Sequence, residues 1–250
     1  MKVQYHSDLH LEFSENRYYL KENPIKPVGD ILVLAGDILP FYLIDSYKRY
    51  FKGWSDQFEE VYWLPGNHEY YNSDISKRTG KLNEKIETNV TLINNDSINH
   101  DGIKFVFSTL WSAISPENHW LIQQSLSDFH VIKRDGLPFT PSDFNALHQD
   151  SLHFLNKELK STSEKIIVTH HVPTFYNYPE KYKGDILNEA FAVELFDLIE
   201  STGSKFWIYG HHHQFIPPFQ IGSTQLLTNQ LGYVRNKEHH DFDDSKYLLI

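Results

Sequence analysis

Short apolar runs, each cut off by a small residue or leading into a histidine, alternate along this chain with stretches whose apolar residues recur at helical spacing. Ile31-Leu32-Val33-Leu34-Ala35 is continuous and stops at Gly36, the pattern of a strand buried on both faces. Val3-Gln4-Tyr5 and residues 61–64, 165–169 and 205–209 predict strands of the same kind. Residues 91–93 and 103–107 predict two more, the second entered through an Asp101-Gly102 hairpin turn. Thr140 followed by Pro141 reads as a helix cap and first turn, with Phe144, Leu147, Leu155 and Leu159 on or near one face. Leu187, Phe191, Leu195 and Leu198 predict a second amphipathic helix, closed by Gly203. The tail alternates again at 219–221, 224–227 and 247–250, which read as late strands of a second sheet.

Strands alternating with helices point to a layered α/β fold. No repeat or linker interrupts the pattern, so residues 1–250 read as one domain, a length that a single core can fill. Residues 111–139 are the least regular stretch, with Trp111, Trp120, Phe129 and Phe139 set among polar residues. They read either as a lid or rim insertion or as a loop packed on the core.

Composition narrows the chemistry. The chain has no cysteine, which excludes disulfides, thiolate metal sites and a cysteine nucleophile. A net charge of −10 argues against a nucleic-acid partner. No apolar run approaches the roughly 20 residues that span a bilayer, and the first residues leave no room for a signal peptide. A cytoplasmic location is the expectation.

The polar residues that follow the predicted strands carry the function. Asp8-Leu9-His10, Gly36-Asp37, Gly66-Asn67-His68-Glu69, His170-His171 and Gly210-His211-His212-His213 each place carboxylate, amide or imidazole groups at a strand's C-terminal end. That edge is where ligands collect in open α/β sheets. Strand alternation would turn Asp8 and His10 to one side, and His211 and His213 share the same spacing. Asp8, His10, Asp37 and His213 would fill one metal position, and Asp37, Asn67, His170 and His211 a second. Nitrogen and oxygen donors without sulfur suit manganese, iron, zinc or cobalt better than magnesium or calcium. Any one of these motifs alone is commonly structural; the ordered set of five is the signal.

That set resembles the calcineurin-like metallophosphoesterase superfamily, whose blocks are Asp-x-His, Gly-Asp, Gly-Asn-His-Glu/Asp, a later His and Gly-His-x-His. The resemblance runs from residue 8 to residue 213. It implies a four-layer α/β/β/α sandwich of two mixed sheets, with a dimetal site at the strand ends. It also implies that Asp37 bridges the metals and that His68 is catalytic, stabilising the phosphate or protonating the leaving oxygen. Two cations roughly 3.5–4 Å apart would supply a hydroxide for in-line attack on phosphorus.

Departures from related branches narrow the substrate. The second Asp and the Arg of the protein phosphatase block are missing from Gly36-Asp37-Ile38-Leu39-Pro40-Phe41, and none of the five arginines adjoins a ligand motif. Arg235 is the one retained as a substrate contact, beside Tyr70, Trp111 and His171; the sequence 175–178, Phe-Tyr-Asn-Tyr, offers further aromatic faces. The expectation is a phosphodiesterase for a small molecule or nucleotide, with a broad phosphomonoesterase as the alternative. A non-catalytic scaffold on the same fold would have shed ligands or His68, and none is shed here.

Overall fold

The apolar runs become the inner strands of two six-stranded sheets. The structure, a computed structural model, describes residues 1–160 and 164–250. Its strands are β1 (Lys2–His6), β2 (Ile31–Ala35), β3 (Glu60–Leu64), β4 (Leu82–Glu87), β5 (Val90–Asn94), β6 (Asp96–His100), β7 (Ile103–Ser108), β8 (Lys133–Arg134), β9 (Leu137–Pro138), β10 (Lys165–Thr169), β11 (Phe206–Ile208), β12 (Phe219–Ile221), β13 (Thr224–Leu227) and β14 (Tyr247–Leu249). The helices are α1 (Ser14–Glu22), α2 (Lys48–Gln57), α3 (His119–Ser125), α4 (Asp128–Val131), α5 (Pro141–Glu158) and α6 (Phe196–Thr202).

The first sheet runs β14-β1-β2-β3-β5-β4 and the second β12-β13-β11-β10-β7-β6. In each the four inner strands are parallel and the two edge strands antiparallel. Alternate residues of the inner strands explain the layering. Tyr5, Val33, Tyr62, Phe105, Phe107, Val168 and Ile208 meet between the sheets. Leu32, Leu34 and Trp63 face the other way, onto Phe51 and Trp54 of α2, while Ile167 and Trp207 of the second sheet face Leu155 of α5 and Ile199 of α6. Strands covered on both faces must be apolar throughout, hence the unbroken runs. The result is the four-layer α/β/β/α sandwich. Among the described residues, no helix is long and apolar enough to cross a membrane.

The α5 cap is a reciprocal capping box between Thr140 and Asp143, and Asp101-Gly102 turns β6 into β7 with both residues left-handed. Two expectations need correction. The helix expected across Leu187–Leu198 positions is broken: Ile186–Ala190 is a 3-10 turn and α6 begins only at Phe196. Between them the backbone pairs with the segment after β10, through Val172 N to Phe191 O, Val193 N to Val172 O and Leu195 N to Pro173 O. Those bonds replace the ones a helix would have made. The second correction concerns β14, which joins the first sheet by lying antiparallel to β1, not the second.

Residues 111–139 carry α3, α4 and the β8–β9 hairpin. Trp111, Ile122, Phe129 and Phe139 form an apolar cluster with Phe144 and Leu147 of α5, and Trp120 stays 73% exposed.

Candidate metal centre and active site

Every motif lies just past the C-terminal end of a parallel strand, after β1, β2, β3, β10 and β11. Strand alternation is not what aims the side chains. Asp8, His10, Asp37, His211 and His213 all have left-handed backbones, with φ of 56°, 47°, 56°, 79° and 47°. Non-glycine residues adopt this region at a cost, and such strain gathers at functional sites. Ladder-like bonds hold the turns: Asp8 N to Gly36 O, His10 N to Asp37 O and Leu11 N to Ile38 O. The motif glycines are needed for close approach. A Cβ on Gly36 would strike the His170 imidazole, one on Gly66 the Asp37 carboxylate and His170, and one on Gly210 the Asp8 carboxylate and Ser7.

The side chains converge as two buried groups that share Asp37: Asp8, His10, Asp37 and His213 in one, Asp37, His170 and His211 in the other. In the first, His213 Nε2 lies 3.2 Å from Asp8 Oδ1 and 3.0 Å from His10 Nε2. In the second, His170 Nε2 lies 3.1 Å from His211 Nδ1 and 3.3 Å from Asn67 Oδ1. Asp37 presents Oδ2 to His10 at 3.8 Å and Oδ1 to His170 at 3.4 Å, so its two oxygens face the two groups. All seven expected ligands are therefore brought together.

The outer atoms of His10, His213, His170 and Asn67 are tied down, whereas the outer nitrogen of His211, Nε2, is buried without a partner. His10 Nδ1 bonds Glu12 Oε1 at 3.1 Å, His213 Nδ1 bonds Glu238 Oε2 at 2.8 Å, and His170 Nδ1 donates to Ala35 O at 2.9 Å. A proton on the outer nitrogen leaves the lone pair on the inner one, which is how metal-binding imidazoles are oriented. Asn67 Nδ2 donates to Asp128 Oδ1 at 2.9 Å, leaving its carbonyl oxygen for the cluster. The donor set thus fits a pair of divalent cations. Electrostatics agree. Burial disfavours charge on His170, yet Asp37 pushes it up to about 9; on His213, Asp8 and Glu238 overcome burial and push it up to about 10. Against the same burial, His170 and His68 hold Asp37 well below the usual carboxylate range. The carboxylates demand positive charge at this spot.

His68 stands beside the cluster. Its Nδ1 bonds Glu12 Oε1 at 2.8 Å, its Nε2 lies 3.2 Å from the Tyr233 hydroxyl, and Tyr71 stacks on it with ring centroids 3.9 Å apart. Burial raises Glu12, but His10 and His68 pull it down to about 2, so it is a carboxylate. Glu69, the last residue of its motif, accepts from Asp37 N, Ile38 N, Gly66 N and Trp63 Nε1, at 2.7–3.0 Å. It clamps the Asp37 loop to the Asn67 loop. Burial and then Asp37 push it up to about 8.

A pocket of about 250 Å³ opens over the cluster. Three expected substrate contacts do not reach it: Tyr70, Trp111 and His171 are 1%, 2% and 0% exposed and lie beneath its walls. Arg235 is exposed and outside the lining, resting over the Phe13 and Tyr233 rings. The aromatic faces that do line it include Tyr71, Tyr182, Phe191 and Tyr233, and the 111–139 segment contributes residues 125–128. Sequence reasoning missed Glu12, Asp128, Tyr233 and Glu238. Only Glu12 left a signal, two residues past His10 in Asp8-x-His10-x-Glu12.

Buried nitrogen and oxygen donors at the parallel-strand ends of a four-layer sandwich define a dinuclear metallohydrolase. The chain belongs to the calcineurin-like phosphoesterase family, whose model matches residues 1–215. That family uses a dinuclear divalent metal centre, and this chain is a metal-dependent phosphoesterase. It is 31% identical over 279 residues to uncharacterized protein L509 of Acanthamoeba polyphaga mimivirus, covering 99% of this chain and 96% of the viral one. Among solved structures it resembles phosphopantetheinyl hydrolase (PptH) from Mycobacterium tuberculosis, with a TM-score of 0.73 at 15% identity over 99% of this chain and 95% of that one.

Proposed function

We propose that this chain hydrolyses phosphodiesters of small molecules or nucleotides. The observation that carries the reading is the charge of the pocket: no lysine or arginine lines it among the described residues, whereas Asp128 and Glu238 do. A monoester dianion needs a second cationic contact, commonly a bidentate arginine, and a diester monoanion does not.

In this reading Asp8, His10, Asp37 and His213 would hold one cation, and Asp37, Asn67, His170 and His211 would hold the other. Manganese, iron, zinc or cobalt suits the donors. Such a pair, when bound, would supply the charge that acidifies water and neutralises phosphoryl oxygens. His68 is the general acid. Its Nδ1 is committed to Glu12, so Nε2 is the nitrogen that delivers a proton to the leaving oxygen. Burial opposes its charge, but Asp37 and Glu12 raise it, in the direction an acid requires. Tyr233, with its hydroxyl beside Nε2, is a neutral donor for a phosphoryl oxygen. The 111–139 segment is a rim that narrows the entrance. A metal-reconstituted screen across phosphomonoesters, linear diesters and cyclic nucleotides tests the reading: turnover confined to monoesters would overturn it.

A further inference from the structure

Beside the pocket over the cluster lies a second cavity of about 160 Å³, the two sharing Tyr182, Phe191 and His212 as walls. Tyr178, Leu187, Asp185 and Asn188 complete the lining. Phe191 lines both the pocket and this alcove, its ring 4.7 Å from that of His211 at an interplanar angle of 30°. Of the aromatic run at 175–178, it is Tyr178 that faces the alcove, buried, with its ring 6.0 Å from His212.

We propose that this alcove is a subsite for an uncharged planar ring carried on the ester arm that stays on phosphorus. The inference rests on the phosphodiesterase reading above. Size supports it, because an apolar protein cavity of about 150 Å³ takes up benzene. Wall chemistry supports it too: tyrosine, phenylalanine and leucine faces offer stacking and dispersion contacts. The charge of the lining favours a neutral ring over a second phosphate or a carboxylate. No cation lines the alcove among the described residues, and the Asp185 carboxylate, which accepts from Leu187 N at 2.9 Å, would repel an anion. Position assigns the arm. His68 meets Glu12, Tyr71 and Tyr233 at its own wall, so the arm it protonates leaves from there, and a ring between Phe191 and His212 belongs to the other arm.

The experiment compares methyl 4-nitrophenyl phosphate with phenyl 4-nitrophenyl phosphate on the metal-loaded enzyme. The leaving group is the same in both and the retained arm differs. The expected result is a phenyl-to-methyl ratio in kcat/KM of about ten, in line with one base–aromatic stacking contact. The ratio should fall toward one in Leu187→Trp, which fills the alcove, and in Tyr182→Ala, which removes a wall. Equal rates on the two esters, or a ratio that survives both substitutions, would overturn the subsite while leaving the diesterase reading intact. Failure to turn over either ester would instead defeat the diesterase reading. The alcove is then decided by saturation-transfer NMR with phenol: a signal present in the parent chain and lost in Leu187→Trp supports it, and no signal, or the same signal in both, removes it.

Discussion

One oxygen of Glu12 accepts from both His10 Nδ1, at 3.1 Å, and His68 Nδ1, at 2.8 Å. The ligand imidazole and the proposed acid are therefore oriented by the same atom, with Nε2 of His10 directed at His213 and Asp37, and Nε2 of His68 at Tyr233. Glu12→Gln keeps the shape but removes the charge that holds both tautomers. Activity should fall by roughly 10–100-fold, the usual worth of such an outer partner. The alkaline limb of the kcat profile should move to lower pH, because His68 loses a carboxylate that favours its protonated form. An unchanged profile would reduce Glu12 to packing.

His68 and the ligands separate cleanly on one measurement. His68→Ala should keep its metal content, since the two groups that share Asp37 are complete without it, and lose turnover by roughly 10²–10⁴. Elemental analysis beside steady-state rates makes the comparison. Metal loss in this variant would reassign His68 as a ligand.

Asp37 offers one oxygen to each group, so its charge supports both. Two ions per chain are expected in saturated, desalted protein, and Asp37→Asn should weaken both positions together. If elemental analysis finds one ion retained at full affinity, Asp37 is no bridge.

Gly66 is a test of close approach. Gly66→Ala places a methyl group against Asp37 and His170, within a loop clamped by Glu69. The far-UV spectrum should be retained while metal affinity drops by roughly 10–100-fold, as when a ligand's supporting shell is disturbed. Parent-like affinity would mean that the loop shifts freely.

The inner strands were legible because burial on both faces leaves apolar runs, and the ligands because their spacing follows strand ends. What aims the ligands was not legible. Period-two alternation would turn Asp8 and His10 to one side, but their left-handed turns do the aiming. Periodicity also says that residues 247–249 form a strand without saying which sheet has a free edge, and β1 had one. The stripe through Leu187 and Leu198 suited a helix, yet pairing with Val172 and Pro173 took its backbone. Aromatic choice failed by a single residue. Tyr70 is buried beneath the wall, and its neighbour Tyr71 stacks on His68. Tyr233 meets His68 across 165 residues of chain, and Glu238 orients His213 from beyond β13, relationships that only the folded chain expresses.

The charge of the pocket bears finally on diester against monoester. With Asp128 and Glu238 on its walls and no lysine or arginine, a second negative charge on the substrate finds only the metals to offset it. Two unit charges about 4 Å apart interact by about 4 kcal/mol at an effective dielectric of 20, enough to separate two otherwise similar esters by orders of magnitude. Solvent in an open pocket will reduce this. We therefore expect kcat/KM for bis(p-nitrophenyl) phosphate to exceed that for p-nitrophenyl phosphate by at least about tenfold, with metal, pH and salt held the same. The margin should narrow as pH falls below the second ionisation of the monoester, near 6 for phosphate esters, because the two substrates then carry equal charge. A monoester preference that persists above that pH would place this chain among the phosphatases of its family, and the cation that such a preference requires would have to come from outside the pocket lining, as Lys181 over the Tyr182 ring could.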